Sequence, residues 1–183
     1  MRPLLAFEKV TLRRGGRLLF ESMDLTLGPG EALHLTGPNG SGKSSLIRLA
    51  AGLLRAEAGQ VDRTALALSD DALALDRELP LAKALRFWTA NVDEAMAALG
   101  LAELAEVPVR LLSAGQAKRA TLARVVASGA QLWLLDEPLS GLDADGVERL
   151  DALVARHRQA GGAVLAASHS PLGGTWAQLE LGH

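Results

Sequence analysis

The stretch Gly37-Pro38-Asn39-Gly40-Ser41-Gly42-Lys43-Ser44 fills every fixed position of the phosphate-binding template G-x-x-x-x-G-K-[ST]. Ala32-Leu33-His34-Leu35 reads as a short buried strand ahead of it, and Ser45 to Ala51 as a helix behind it, with Leu46, Ile47, Leu49 and Ala50 as its apolar residues. Strand, glycine loop and helix in that order make an anion site. The glycines let successive N–H groups turn inward, and the helix N-terminus adds partial positive charge at the same spot. Lys43 brings a full charge to the β- and γ-phosphates of a triphosphate, and the Ser44 hydroxyl is short enough to ligate a Mg²⁺ that bridges them. The bland alternative is a glycine-rich turn that binds nothing, and the strand-and-helix context counts against it.

Composition narrows the class. A chain of 183 residues suits one compact domain, with or without a small subdomain. With 49% hydrophobic and 22% charged residues it is too polar for a multispan membrane protein, and no run of about 18 apolar residues reads as a spanning helix. The start, Met1 to Phe7, is too short before Glu8 and Lys9 for an export signal, and cysteine is absent. The expectation is a cytoplasmic chain without disulfides or thiolate metal sites. A net charge of −2 and 3% aromatic residues offer neither a basic field nor stacking platforms, so no nucleic acid is expected as a partner.

Along the chain, Leu4 to Leu12 and Leu18 to Leu27 read as strands around the turn Arg13-Arg14-Gly15-Gly16, an opening β layer. Thr64 to Leu68 looks like another buried strand. From about residue 69 to 128 the chain turns alanine- and leucine-rich, with helices expected around Leu81 to Phe87, Asp93 to Leu99 and Gln116 to Ser128, which suggests an inserted helical subdomain within one domain over 1–183. Gln131 to Leu135 is an apolar strand, Asp143 to Gln159 a helix, and Ala163 to Ala167 the last buried strand. The fold class is therefore α/β, with a mostly parallel core sheet.

The strand Leu132 to Leu135 ends in Asp136-Glu137, where a parallel sheet places its ligands. Asp136 is suited to hold Mg²⁺ through water, and Glu137 to deprotonate the water that attacks a γ-phosphate. Alone, an Asp-Glu pair reads as a solvated turn; beside a phosphate loop the reading reverses. Ser113, in Leu112-Ser113-Ala114-Gly115-Gln116, sits just before a helix as a cap whose following N–H groups can face an anion. Together with the turn Ser140-Gly141-Leu142-Asp143 and the strand-end His169, this ordered set resembles the ATP-binding cassette ATPases, with phosphate loop, signature, strand-Asp-Glu, S-x-L-D loop and switch histidine in sequence.

The resemblance covers about Phe7 to His169 and implies a P-loop fold that hydrolyses ATP with Mg²⁺. It also implies a nucleotide-dependent, head-to-tail homodimer in which ATP lies between Gly37 to Ser45 of one subunit and Ser113, Gly115 and Asp143 of the other. Ser44 and Asp136 are its metal ligands, Glu137 its catalytic base and His169 its γ-phosphate sensor. Three features depart from the family pattern. Arg14 stands where an aromatic residue usually stacks on adenine, and a guanidinium can stack instead. Ser69-Asp70-Asp71-Ala72 stands where a glutamine usually links Mg²⁺ to a membrane partner, so Asp70 or Asp71 is a candidate substitute. Ala114 replaces the second signature glycine.

Val107-Pro108-Val109-Arg110-Leu111, Asp145-Gly146-Val147 and Pro171-Leu172 are similar to the haem-exporter ATPases of bacterial cytochrome c maturation. That implies integral membrane transporter subunits as partners, haem met only through them, and a peripheral place on the cytoplasmic face of the inner membrane. The alternatives are the ATPase of another exporter and a soluble cassette ATPase of DNA repair or translation.

Overall fold

Two sheets separate the strands by the pairing their sequences favour. The computed structural model describes residues 2–70, 72–89 and 92–182. β1 (Leu5–Arg14) and β2 (Arg17–Leu27) form an antiparallel hairpin around Gly15-Gly16. β3 (Ala32–Thr36) leads through the glycine loop into α1 (Lys43–Ala50), and β4 (Ala58–Arg63) returns to pair antiparallel with β1. Then come β5 (Leu66–Ser69), α2 (Leu81–Arg86), α3 (Asp93–Ala98), α4 (Ala114–Ala127), β6 (Leu132–Asp136), α5 (Ala144–Gln159), β7 (Ala163–Ala167) and β8 (Ala177–Glu180). The first sheet has the order β2-β1-β4, and the second is wholly parallel in the order β5-β6-β7-β3-β8.

The parallel sheet is covered on both faces, which is why its strands are continuous apolar runs. Trp133, Leu135, Val164 and Ala166 join the core shared with the helices, while Leu132, Leu134, Ala163, Leu165 and Ala167 face the antiparallel layer and α1. Successive residues of one strand therefore stabilise two different cores.

Several elements differ from the sequence expectation. β4 escapes notice because only Val61 of its six residues is even half-buried, leaving no alternation to detect. β7 is not the last strand: β8, mostly exposed, follows it at the sheet edge beside β3. Thr64 lies between the sheets, just past β4, its N–H donating to the Leu4 carbonyl at 3.0 Å, and β5 starts at Leu66. α1 starts at Lys43 because Gly42, left-handed at φ 109°, is its N-cap.

Candidate functional site

The strand order sets β6, β7 and β3 side by side, so that the segments leaving their carboxyl ends meet: Asp136-Glu137, Ser168-His169 and the glycine loop. They bound a cleft of about 660 Å³ whose polar walls include Lys43, Ser44, Glu137 and His169. Lys43, only 7% exposed, donates from Nζ to the loop's own carbonyls, 2.7 Å to Gly37 and 3.1 Å to Pro38, so its charge is held at the loop's centre. Ser44 Oγ donates to Asp136 Oδ1 at 3.1 Å, placing two hard oxygen donors together. No group of three or more His, Asp or Glu side chains able to hold a metal occurs among the described residues.

Glu137 has φ 45°, a left-handed conformation costing a non-glycine residue about 1–2 kcal/mol. Its N–H donates to the Ala167 carbonyl at 2.8 Å, and its own carbonyl accepts from the Ser140 N–H at 3.2 Å. The strained backbone turns the carboxylate toward β7, where Oε1 lies 3.4 Å from His169 Nε2 and Oε2 accepts the His169 N–H at 3.4 Å.

The loop has a front and a back. Asn39, Gly40, Gly42 and Ser45 border the cleft with Lys43 and Ser44. Gly37, Pro38 and Ser41 instead meet the end of β8: a Cβ at Gly37 would lie 2.3 Å from the Leu181 carbonyl oxygen, and Pro38 packs beside Gly182. The strand that sequence reading missed thus buttresses the phosphate loop.

The β1–β2 hairpin supplies the remaining wall. Arg14 donates to Ser45 Oγ at 3.3 Å and pairs in register with Arg17, which also lines the cleft together with Leu19. Arg17 and Leu19 were not singled out from sequence; their placing on alternate residues just after the hairpin turn was the available signal.

The signature lies outside this cleft. Ser113 and Gln116 form a capping box: Ser113 Oγ accepts the Gln116 N–H at 3.2 Å, and Gln116 Oε1 accepts the Ser113 N–H at 2.9 Å. A Cβ at Gly115 would sit 2.9 Å from the Gly141 carbonyl oxygen, so glycine lets the start of α4 rest on the Ser140–Asp143 loop. Asp143 caps α5, accepting the Gly146 N–H at 2.9 Å. A separate hollow of about 230 Å³ between α4 and this loop is bordered by Asp70, Ala114, Lys118, Ser140 and Gly141.

Asp70 accepts the Ala72 N–H at 3.1 Å; Asp71 lies outside the described residues. Nearby, Arg124 of α4 donates to the Leu68 carbonyl at 2.7 Å and lies 4.9 Å from the centre of the Trp88 ring. Burial lowers the pKa of this guanidinium, and the charge of Asp70 opposes the shift. Phe87 is 81% exposed beside Trp88, and Leu53 is also exposed.

The family described as "ABC transporter" matches residues 20–140. Similar curated proteins include the "Cytochrome c biogenesis ATP-binding export protein CcmA" of Sphingopyxis alaskensis, 54% identical over 180 residues, covering 94% of this chain and 93% of the relative. The protein of the same description from Novosphingobium aromaticivorans is 57% identical over 167 residues, covering 89% and 87%. Among solved structures, an "ATP binding subunit of ABC transporter" superposes with a TM-score of 0.82 at 20% identity, covering 91% of this chain and 79% of that one. A putative ABC transporter ATP-binding protein from Pyrococcus furiosus gives 0.82 at 20% identity, covering 97% and 96%. No helix among the described residues is long and apolar enough to cross a membrane. By its matched family, its relatives and its fold, the chain belongs to the ABC transporter family, as one of its ATP-hydrolysing members.

Proposed function

We propose that this chain powers haem export for cytochrome c maturation, working as a head-to-tail homodimer on integral membrane partners at the cytoplasmic face of the bacterial inner membrane. The observation that carries the catalytic part is the convergence of Lys43, Ser44, Asp136, Glu137 and His169 on one cleft. The biological part rests on the relatives' shared description and their high identity.

In this reading the residues from Gly37 to Ser45 cradle the phosphates of ATP with backbone N–H groups, and the Lys43 ammonium turns from the Gly37 and Pro38 carbonyls toward the β- and γ-phosphates. Ser44 and Asp136 are the oxygen donors that would hold Mg²⁺, which neutralises charge on those phosphates. Glu137 accepts a proton from the attacking water, and His169, beside it, hydrogen-bonds the γ-phosphate and registers its loss. Arg14 stacks on the base, its guanidinium already tied to Ser45 at the cleft wall.

Ser113, Gly115 and Asp143 lie outside their own chain's cleft, and a second copy related by twofold symmetry would bring them to it. The helical segment 69–128 is the arm that carries Ser113 and Gly115, and Asp143 belongs to the loop on which the start of α4 rests. Asp70 or Asp71 stands in for the missing glutamine, and the exposed Phe87, Trp88 and Leu53 face the membrane partner. Cells in which Glu137→Gln replaces the wild-type chain should lose covalent haem from c-type cytochromes while b-type haem proteins persist. Normal haem staining of the c-type proteins in that strain overturns the biological reading and leaves the ATPase of another exporter.

A further inference from the structure

A buried side chain with no part in the scheme above stands one peptide unit away from Glu137. His34 occupies the middle of β3, whose other residues are Ala32, Leu33, Leu35 and Thr36, and is only 6% exposed. Burying an imidazole in an apolar strand costs free energy unless its nitrogens find partners. Its Nε2 lies 2.9 Å from the carbonyl oxygen of Ser168. A carbonyl only accepts, so Nε2 carries the proton and donates it.

That carbonyl shares one planar peptide unit with the N–H of His169, which points the opposite way and donates to Glu137 Oε2 at 3.4 Å. Imidazole, peptide and carboxylate therefore form a continuous donor-to-acceptor chain from β3, across the end of β7, to the end of β6. A donor on the carbonyl polarises the peptide and makes its N–H a better donor in turn. The His34 ring is steadied edge-on against Trp176, with centroids 6.4 Å apart at 68°. Trp176 in turn donates to the Gly173 carbonyl at 2.8 Å. Asp151 of α5 accepts the Gly173 N–H at 3.3 Å, so the segment that follows His169 is fastened on the far side as well.

We propose that His34 is a positioning residue for ATP hydrolysis: by holding the Ser168 carbonyl it fixes the Ser168–His169 peptide plane, and through that plane the orientation of the Glu137 carboxylate. The inference rests on the reading of Glu137 as the group that activates water. It also gives β3 two tasks, since the strand that opens the phosphate loop at Gly37 also sets the carboxylate across the cleft.

The test measures steady-state ATP turnover and direct nucleotide binding on the full chain purified with its membrane partners. His34→Leu keeps the volume but removes the donor, and should lower kcat about tenfold with KM for ATP and nucleotide affinity unchanged. His34→Gln, whose amide can donate to the same carbonyl, should stay within about twofold of wild type. If His34→Leu does not fold, His34→Asn carries the same expectation, because its shorter amide falls short of the carbonyl. Added to Glu137→Gln, the His34→Leu change should cost nothing further, since both act at one carboxylate. Wild-type kcat in His34→Leu alongside an inactive Glu137→Gln overturns the inference while leaving the Glu137 reading in place. So does a loss in KM rather than kcat, or an undiminished loss in the Glu137→Gln background. Wild-type turnover by Glu137→Gln alone instead overturns the reading on which the inference stands.

Discussion

The phosphate cleft and the signature helix are both built around the N-terminus of a helix, yet they are in opposite states of completion. At the cleft, Lys43, Ser44, Glu137 and His169 face a shared volume; Lys43 bonds the loop's own carbonyls, Ser44 bonds Asp136, and Glu137 lies beside His169. At the signature, the capping box already uses the Ser113 hydroxyl and N–H, and Gly115 rests on the Gly141 carbonyl. The first region is an open cleft lined by charged and polar groups. The second has its polar groups already bonded within the chain, and in the proposed homodimer it would meet the nucleotide of another copy. On the proposed head-to-tail arrangement, catalysis would depend on bringing a preformed clamp to a preformed cradle, with little ordering cost left to be met at that step.

The sharpest break between the two regions should come from Lys43→Ala. It removes the only ammonium in the loop while leaving its glycines, and should weaken ATP binding by about a hundredfold or more, because charge-assisted contacts to phosphate are lost in a partly enclosed site. Isothermal titration with ATP checks it. Unchanged affinity would mean that the cleft does not hold the phosphates.

A smaller but more discriminating effect is expected from Ser113→Arg. The variant loses the cap, worth about 1 kcal/mol to α4, and puts bulk on the face offered to a partner. Turnover should drop about tenfold or more while ATP affinity stays at the wild-type value, because Ser113 does not border its own chain's cleft. Full turnover by a monomeric variant, shown by light scattering, would break the division between cradle and clamp.

Much of this division could be read from the sequence, and the exceptions share a physical cause. The glycine loop and Asp136-Glu137 announce themselves because each follows a strand so apolar that its end is unmistakable, whereas His169, at a similar strand end, is a candidate only through the family resemblance. β4 and β8 carry no such pattern: both are edge strands, exposed along most of their length, and hydrophobic periodicity reports burial rather than hydrogen bonding. Missing β8 also hid the reason for Gly37, which is the approach of the Leu181 carbonyl rather than the ligand. His34 lay within the strand Ala32 to Leu35 as one more buried residue, because its meaning depends on Ser168, 134 positions away. Arg17 and Leu19 were passed over for a similar reason, since only the hairpin's register turns them toward the loop.

The smallest effect concerns what the two regions share, the sheet beneath them. The His157 ring of α5 stacks flat on Trp133 of β6, with centroids 3.9 Å apart at 9°, and its Nε2 is 3.1 Å from the Gln131 carbonyl oxygen. Burial pushes its pKa below the ordinary 6.5, although the carbonyls of Gln131 and Ala163 favour the charged ring and partly offset the shift. The sign follows from counting protons. As pH falls through about 6.5 the unfolded chain takes up a proton that the folded chain refuses, so this contribution to stability is complete above that pH and declines below it. The melting temperature should therefore decline by a few degrees between about pH 7.5 and about pH 5.5, and His157→Gln should show a shallower decline. The difference between the two slopes isolates His157 from the other histidines. An identical slope in the variant would remove His157 as the source. Because the ring supports the sheet rather than either binding region, nucleotide affinity and turnover should fall in step with the folded fraction as pH drops. If turnover fell first with affinity intact, the acid-sensitive group would lie in the clamp or in the Glu137–His169 pair, and the sheet would not be a passive platform common to both.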